Sequence, residues 1–130
     1  MWSSADCQYG TASVTDHLGA AHAFAPDVLR GRTAIVTGAG SGIGRASALA
    51  LTYFGADIAV VEIEPDSAAQ TAAAIDQAGH RGLAYVADLG RLTDLDQLVA
   101  RVVADLGPPT LLVNCAGVTG RTLLETDLEQ

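Results

Sequence analysis

The stretch Thr37-Gly38-Ala39-Gly40-Ser41-Gly42-Ile43-Gly44 places four glycines within seven positions, between a short apolar run and an alanine- and leucine-rich segment. A turn of this composition between a strand and a helix lets backbone amides come close to an anion. The helix N-terminus adds its partial positive charge, and together they make a seat for a pyrophosphate. A bare tight turn is the plainer reading of the same glycines. The pattern G-x-G-x-x-G fits in no register, whereas T-G-x-x-x-G-x-G fits at Gly38, Gly42 and Gly44. A Walker A loop is excluded because no lysine follows; all seven bases of the chain are arginines.

The missing lysine reaches further, since it removes Schiff-base chemistry and any lysine general acid from these 130 residues. A formal net charge of −8 argues against a nucleic-acid partner or an anionic membrane surface, each of which needs a basic footprint. No apolar run approaches the ~20 residues that span a bilayer. The first 27 residues have neither the basic start nor the apolar middle of a signal peptide, which points to the cytoplasm. Cys7 and Cys115 form no CxxC site and read as free thiols. His17, His22 and His80 have no metal-ligand spacing, so no metal site is expected.

Residues 1–28 are rich in Ser, Thr, Ala, Gly and Asp without periodicity, and are expected to form a poorly ordered leader. From residue 29 the chain alternates. Thr33–Thr37 is apolar throughout, as expected of a strand buried on both faces of a parallel sheet. Ile43–Phe54 reads as a helix stopped by Gly55, and Asp57–Ile63 as a second strand. Pro65 opens a helix over Asp66–Ala78 that ends at Gly79, and Gly82–Ala87 is a third strand. Thr93 opens a helix with Leu95, Leu98, Val99, Val102 and Val103 along one stripe. Gly107-Pro108-Pro109 ends it before a fourth strand, Thr110–Asn114. The fold class is therefore α/β, a Rossmann-like doubly wound parallel sheet with helices on both faces. Thr126-Asp127-Leu128-Glu129 has the form of a capping box, so a further helix is announced just before the last residue, Gln130.

Thr37 to Gly44, continued by Arg45-Ala46, resembles the cofactor motif of the short-chain dehydrogenase/reductase family. The resemblance runs through Gln130 and meets three more stations, each at the carboxyl end of a strand: Glu62, Asp88-Leu89, and Asn114-Cys115-Ala116-Gly117. It implies a sheet order of 3-2-1-4, truncated after the fourth strand, with residues 29–130 as a partial NAD-binding Rossmann domain. By the same resemblance Gly38, Ser41, Gly42, Ile43 and Gly44 hold the pyrophosphate end of the cofactor. A carboxylate at Glu62 accepts hydrogen bonds from the adenosine ribose and repels a 2′-phosphate. NADP-preferring members place a base where this chain has Ser41 or Ile63, so the argument favours NAD(H); Arg45, the nearest base, keeps NADP(H) as the lesser alternative. Glu62 also reads as a plain strand-end charge.

Asp88, with the Leu89 backbone, is implied at the adenine amino group, although an Asp before Gly90 is equally a turn former. Asn114, Ala116 and Gly117 match the family's N-N-A-G turn. Cys115 replaces its second asparagine, a change that a small buried side chain tolerates.

The family transfers hydride between a nicotinamide and an alcohol or carbonyl, using a tyrosine followed four residues later by a lysine. Tyr9, Tyr53 and Tyr85 are followed at that spacing by Ser13, Asp57 and Leu89. No catalytic residue is therefore expected here, and the chain alone is expected to be inactive. The reading is the cofactor-binding portion of an oxidoreductase. The alternative is a non-catalytic nucleotide-binding or partner-pairing module. The substrate is unreadable; substrate binding and the family's homo-oligomerisation both wait on segments beyond residue 130.

Overall fold

The computed structural model describes residues 25–117. Of the proposed leader, residues 1–28, the first 24 lie outside the described residues, as does the capping box at 126–129. Seven elements follow one another: β1 (Thr33–Thr37), α1 (Gly42–Tyr53), β2 (Asp57–Glu62), α2 (Pro65–Gln77), β3 (Gly82–Val86), α3 (Leu92–Leu106) and β4 (Pro109–Asn114). The strands form one parallel sheet in the order β3-β2-β1-β4. Every boundary falls within a residue of its sequence expectation, the scatter normal at fraying ends.

The continuous apolar runs of β1 and β2 exist because both faces of the sheet are covered. Ala34, Val36, Ile58 and Val60 point into one core, closed by Ala48 of α1 and by Ala68, Ala72 and Ile75 of α2. Their neighbours Ile35, Ala59 and Val61 point the other way, into a core with Tyr85 and with Leu98, Val102 and Leu106 of α3. The small alanines of α1 and α2 let those helices approach the sheet closely. Gly82 shows the limit of that approach, since a Cβ there would lie 2.7 Å from Ile75 Cβ and 2.8 Å from the Ala72 carbonyl oxygen.

The helix stops read from Gly55 and Gly79 are both made by paired backbone bonds. Gly55 N donates to Thr52 O and Ala56 N to Leu51 O, while Gly79 N donates to Asp76 O and His80 N to Ile75 O. These are the 5→2 and 6→1 bonds that satisfy the last carbonyls of a helix. The last turn of α3 is met differently, by the Thr33 hydroxyl donating to Leu106 O at 2.9 Å.

The expected apolar stripe of α3 is narrower in fact. The i, i+4 ridge Leu98–Val102–Leu106 is buried, whereas Val99 and Val103 remain 48% and 44% exposed. They sit on the flank of the stripe, which no described element covers. Leu112 of β4 is 62% exposed, and among the described residues β4 pairs only with β1. Among the described residues no helix is long and apolar enough to cross a membrane.

Candidate functional site

Parallel strands that share one direction bring all their carboxyl ends to one edge of the sheet, and the loops there surround a crevice. In this protein the crevice is a cleft of about 870 Å³. The turn after β1 supplies Gly38, Ser41, Gly42, Ile43 and Gly44; the end of β2 supplies Val61, Glu62 and Ile63. The loop after β3 contributes Ala87, Asp88, Leu89 and Gly90, and the segment after β4 contributes Cys115, Ala116 and Gly117. Of the residues singled out from sequence, all but Asn114 line this cleft. Asn114 ends β4 opposite Thr37 in the register, exposed and outside the lining.

The glycines of the turn serve different ends. Gly38 has φ +62°, and its missing side chain admits the β4 loop: a Cβ would fall 2.8 Å from Ala116 N and Cα. Gly44 packs directly against the Gly38 carbonyl, closing the helix onto the turn. Gly42, with φ +52°, opens α1 in a conformation that L side chains rarely adopt, and the space where its side chain would be is empty. Ser41 is the N-cap of α1 yet makes no side-chain capping bond, and no acid lies in the first turn. The helix therefore presents uncapped amides and its positive dipole end to the cleft.

Glu62 is held from two sides. Its Oε2 accepts the Gly40 N–H at 3.0 Å and its Oε1 accepts the Ile63 N–H at 2.8 Å. A carboxylate offers about four acceptor positions, so two remain for a ligand. Asp88 is more fully committed to its own loop, as the turn-forming alternative anticipated. Its Oδ1 accepts the Gly90 N–H at 2.9 Å, and its Oδ2 lies 3.6 Å from Arg91 Nε. Among the described residues no arginine lines the cleft, Arg45, the nearest base in the sequence, included.

Two residues of the motif have roles that the sequence reading did not assign. Thr37, buried at the end of β1, accepts the N–H groups of Cys115 and Ala116, each at 3.1 Å, and so ties the β4 loop to the glycine turn. Gly40, one of the variable positions of the motif, donates to Glu62. Thr37 is the threonine of the T-G-x-x-x-G-x-G pattern itself, which was the available signal. For Gly40 there was none, because its partner lies 22 residues away. Among the described residues no cluster of His, Cys, Asp and Glu could hold a metal ion.

A family model described as short chain dehydrogenase matches residues 32–130. A short-chain dehydrogenase/reductase of Armillaria gallica is 39% identical over 94 residues, covering 71% of this chain and 36% of the relative. The 2,3-dihydro-2,3-dihydroxybenzoate dehydrogenase of Bacillus subtilis is 36% identical over 90 residues, covering 69% of this chain and 34% of the relative. Among solved structures, the citronellol catabolism dehydrogenase of Pseudomonas aeruginosa superposes with a TM-score of 0.68 at 35% identity, over 71% of this chain and 38% of that one. The chain thus spans about a third of the length of these two curated relatives.

Proposed function

The chain belongs to the short-chain dehydrogenase family, and from that premise and the geometry of the cleft we propose that residues 29–130 form the NAD(H)-holding portion of an oxidoreductase acting on CH–OH and C=O groups. The family uses nicotinamide cofactors, NAD or NADP. A bound nicotinamide supplies or accepts a hydride. The work of this chain is to grip the other end of the dinucleotide.

The residues present fit that task. The uncapped first turn of α1 and the open space at Gly42 suit a pyrophosphate, which needs N–H donors and close backbone approach. Glu62 would hold the adenosine ribose hydroxyls with its two unused acceptor positions. Leu89 and Ile63 offer apolar walls for the adenine, and Asp88 a polar edge. Ala116 and Gly117 close the cleft on the β4 side, with Asn114 behind them at the strand end.

The observation that carries the choice of NAD(H) is the Glu62 carboxylate, fixed at the cleft, with no arginine among the described residues that line it. A ribose 2′-phosphate near that carboxylate meets like charge. The repulsion is about 1 kcal/mol per unit charge at 4 Å in water, and about 4 kcal/mol at an effective dielectric of 20.

The test is direct titration of the chain with NADH and with NADPH, followed by nicotinamide fluorescence. NADH is expected to bind about tenfold or more tighter, a ratio worth about 1.4 kcal/mol. Equal affinities, or a preference for NADPH, would overturn the assignment. We also propose that the chain turns over no alcohol or ketone by itself. The 130 residues include no tyrosine–lysine pair at the family's spacing and no lysine at all.

A further inference from the structure

Gly40 is buried, and its φ lies outside the left-handed region. Its backbone would therefore accept an alanine. What occupies the space is side chain. A Cβ at this position would lie 2.8 Å from both Cγ and Oε2 of Glu62, and would run into Ser67 Oγ. This sets Gly40 apart from Gly38 and Gly44, where the obstacle is main chain. Ser67 Oγ is anchored in the first turn of α2 by donating to Glu64 O at 3.1 Å. The Glu62 carboxylate is anchored by two backbone N–H groups, one of them from Gly40 itself. A methyl at position 40 is best accommodated by rotating these two side chains, because rotamer changes cost less than rebuilding the turn.

We infer that Gly40 is a specificity-determining positioning residue. Its missing side chain makes room for the Glu62 carboxylate and its N–H fixes one oxygen there, so the residue sets which dinucleotide the cleft holds. This rests on the reading of the cleft as a dinucleotide site with Glu62 at the ribose. It goes further in assigning the discrimination to a pair, Gly40 and Glu62, and not to the carboxylate alone.

The experiment is a double-mutant cycle on the full chain, with Gly40→Ala, Glu62→Ala and the double variant, reading the ratio of NADPH to NADH dissociation constants. Thermal unfolding checks that each variant is folded. Losing one well-placed hydrogen bond to a charged acceptor corresponds to about a tenfold change. Gly40→Ala is therefore expected to reduce the preference for NADH by about that factor, with NADPH affinity changing less. In the Glu62→Ala background the same substitution is expected to leave the ratio unmoved. The inference is overturned if the ratio stays within about twofold of wild type, which is under 0.5 kcal/mol. It is also overturned if the ratio shifts equally without Glu62, or if Gly40→Ala fails to fold, since accommodation by side chains alone is part of the claim. A wild-type chain with no preference for NADH removes the cofactor reading and this inference together. A wild-type preference that Gly40→Ala does not touch removes only the inference.

Discussion

Replacing Thr37 with valine keeps the shape of the side chain and removes one oxygen, and that oxygen accepts two backbone N–H groups at 3.1 Å. The donors belong to Cys115, which is half-buried, and Ala116, which is exposed. Water can reach the Ala116 amide, so its loss is near the ordinary net value of a hydrogen bond, about 1 kcal/mol. The Cys115 amide has less access and is expected to cost about 1–2 kcal/mol. Against this, a buried methyl in place of the hydroxyl returns roughly 0.8 kcal/mol. The balance is a destabilisation of about 1–2 kcal/mol, a large part of the ~5–15 kcal/mol typical of a whole domain. A methyl also cannot sit 3.1 Å from an amide nitrogen, so the β4 loop must retreat. The Ala116 backbone lies against Gly38, and its retreat opens the cleft on that side. Thr37→Val is therefore expected to lower the urea midpoint at unchanged m-value and to weaken NADH binding. Thr37→Ser keeps the acceptor, so its binding should stay near wild type despite some loss of packing. The reasoning fails if valine is as stable as threonine while serine is the worse of the two, because the methyl and not the hydroxyl would then be what position 37 needs.

Three further expectations concern the cores. Thr71 is fully buried in α2 and its hydroxyl has no hydrogen-bond partner, so Thr71→Val should raise stability by about 1–2 kcal/mol in urea unfolding; a loss of stability would mean the hydroxyl is satisfied after all. Gly82→Ala forces a methyl against Ile75 Cβ and the Ala72 carbonyl, and should cost about 1–3 kcal/mol, with no change meaning that α2 can slide away from β3. Tyr85 donates to Asp105 Oδ2 at 3.0 Å, and burial first, then the hydrogen bond and charge of Asp105, push its hydroxyl up to about 12 from 10.0. Between those values the folded state holds a proton that the unfolded state has lost, so this contribution to stability is complete below pH ~10 and disappears as pH rises toward ~12. The difference in tyrosinate absorbance between wild type and Tyr85→Phe measures it; Asp105→Asn should lower the midpoint, and a midpoint at the ordinary tyrosine value would refute the account.

What the sequence revealed and what it hid divide along the distance between interacting residues. The strands were readable because burial on both faces leaves an unbroken apolar run, as in Ala34-Ile35-Val36 and Ile58-Ala59-Val60-Val61. The stops at Gly55 and Gly79 were readable because the bonds that make them close within one helical turn. The stripe of α3 was read too wide because periodicity marks which residues are apolar, whereas burial depends on what covers them, and Val99 and Val103 have no described cover.

Within the site, position along the strand was legible and coupling between strands was not. That Glu62 ends β2 follows from the pattern; that its carboxylate is pinned by Gly40 does not, since the two are joined only after β1 and β2 have paired in register. Thr37 and the β4 loop are separated by 78 residues and meet only because β4 inserts beside β1. The same register places Asn114 at the strand end but outside the cleft lining, a distinction that a motif match cannot make. The placement of the Glu62 carboxylate is therefore written in two places at once, in the acid that the motif identifies and in the bare backbone position that donates to it. A chain that kept Glu62 but carried a side chain at position 40 would match the motif equally well, yet its Cβ would fall 2.8 Å from Cγ and Oε2 of that glutamate.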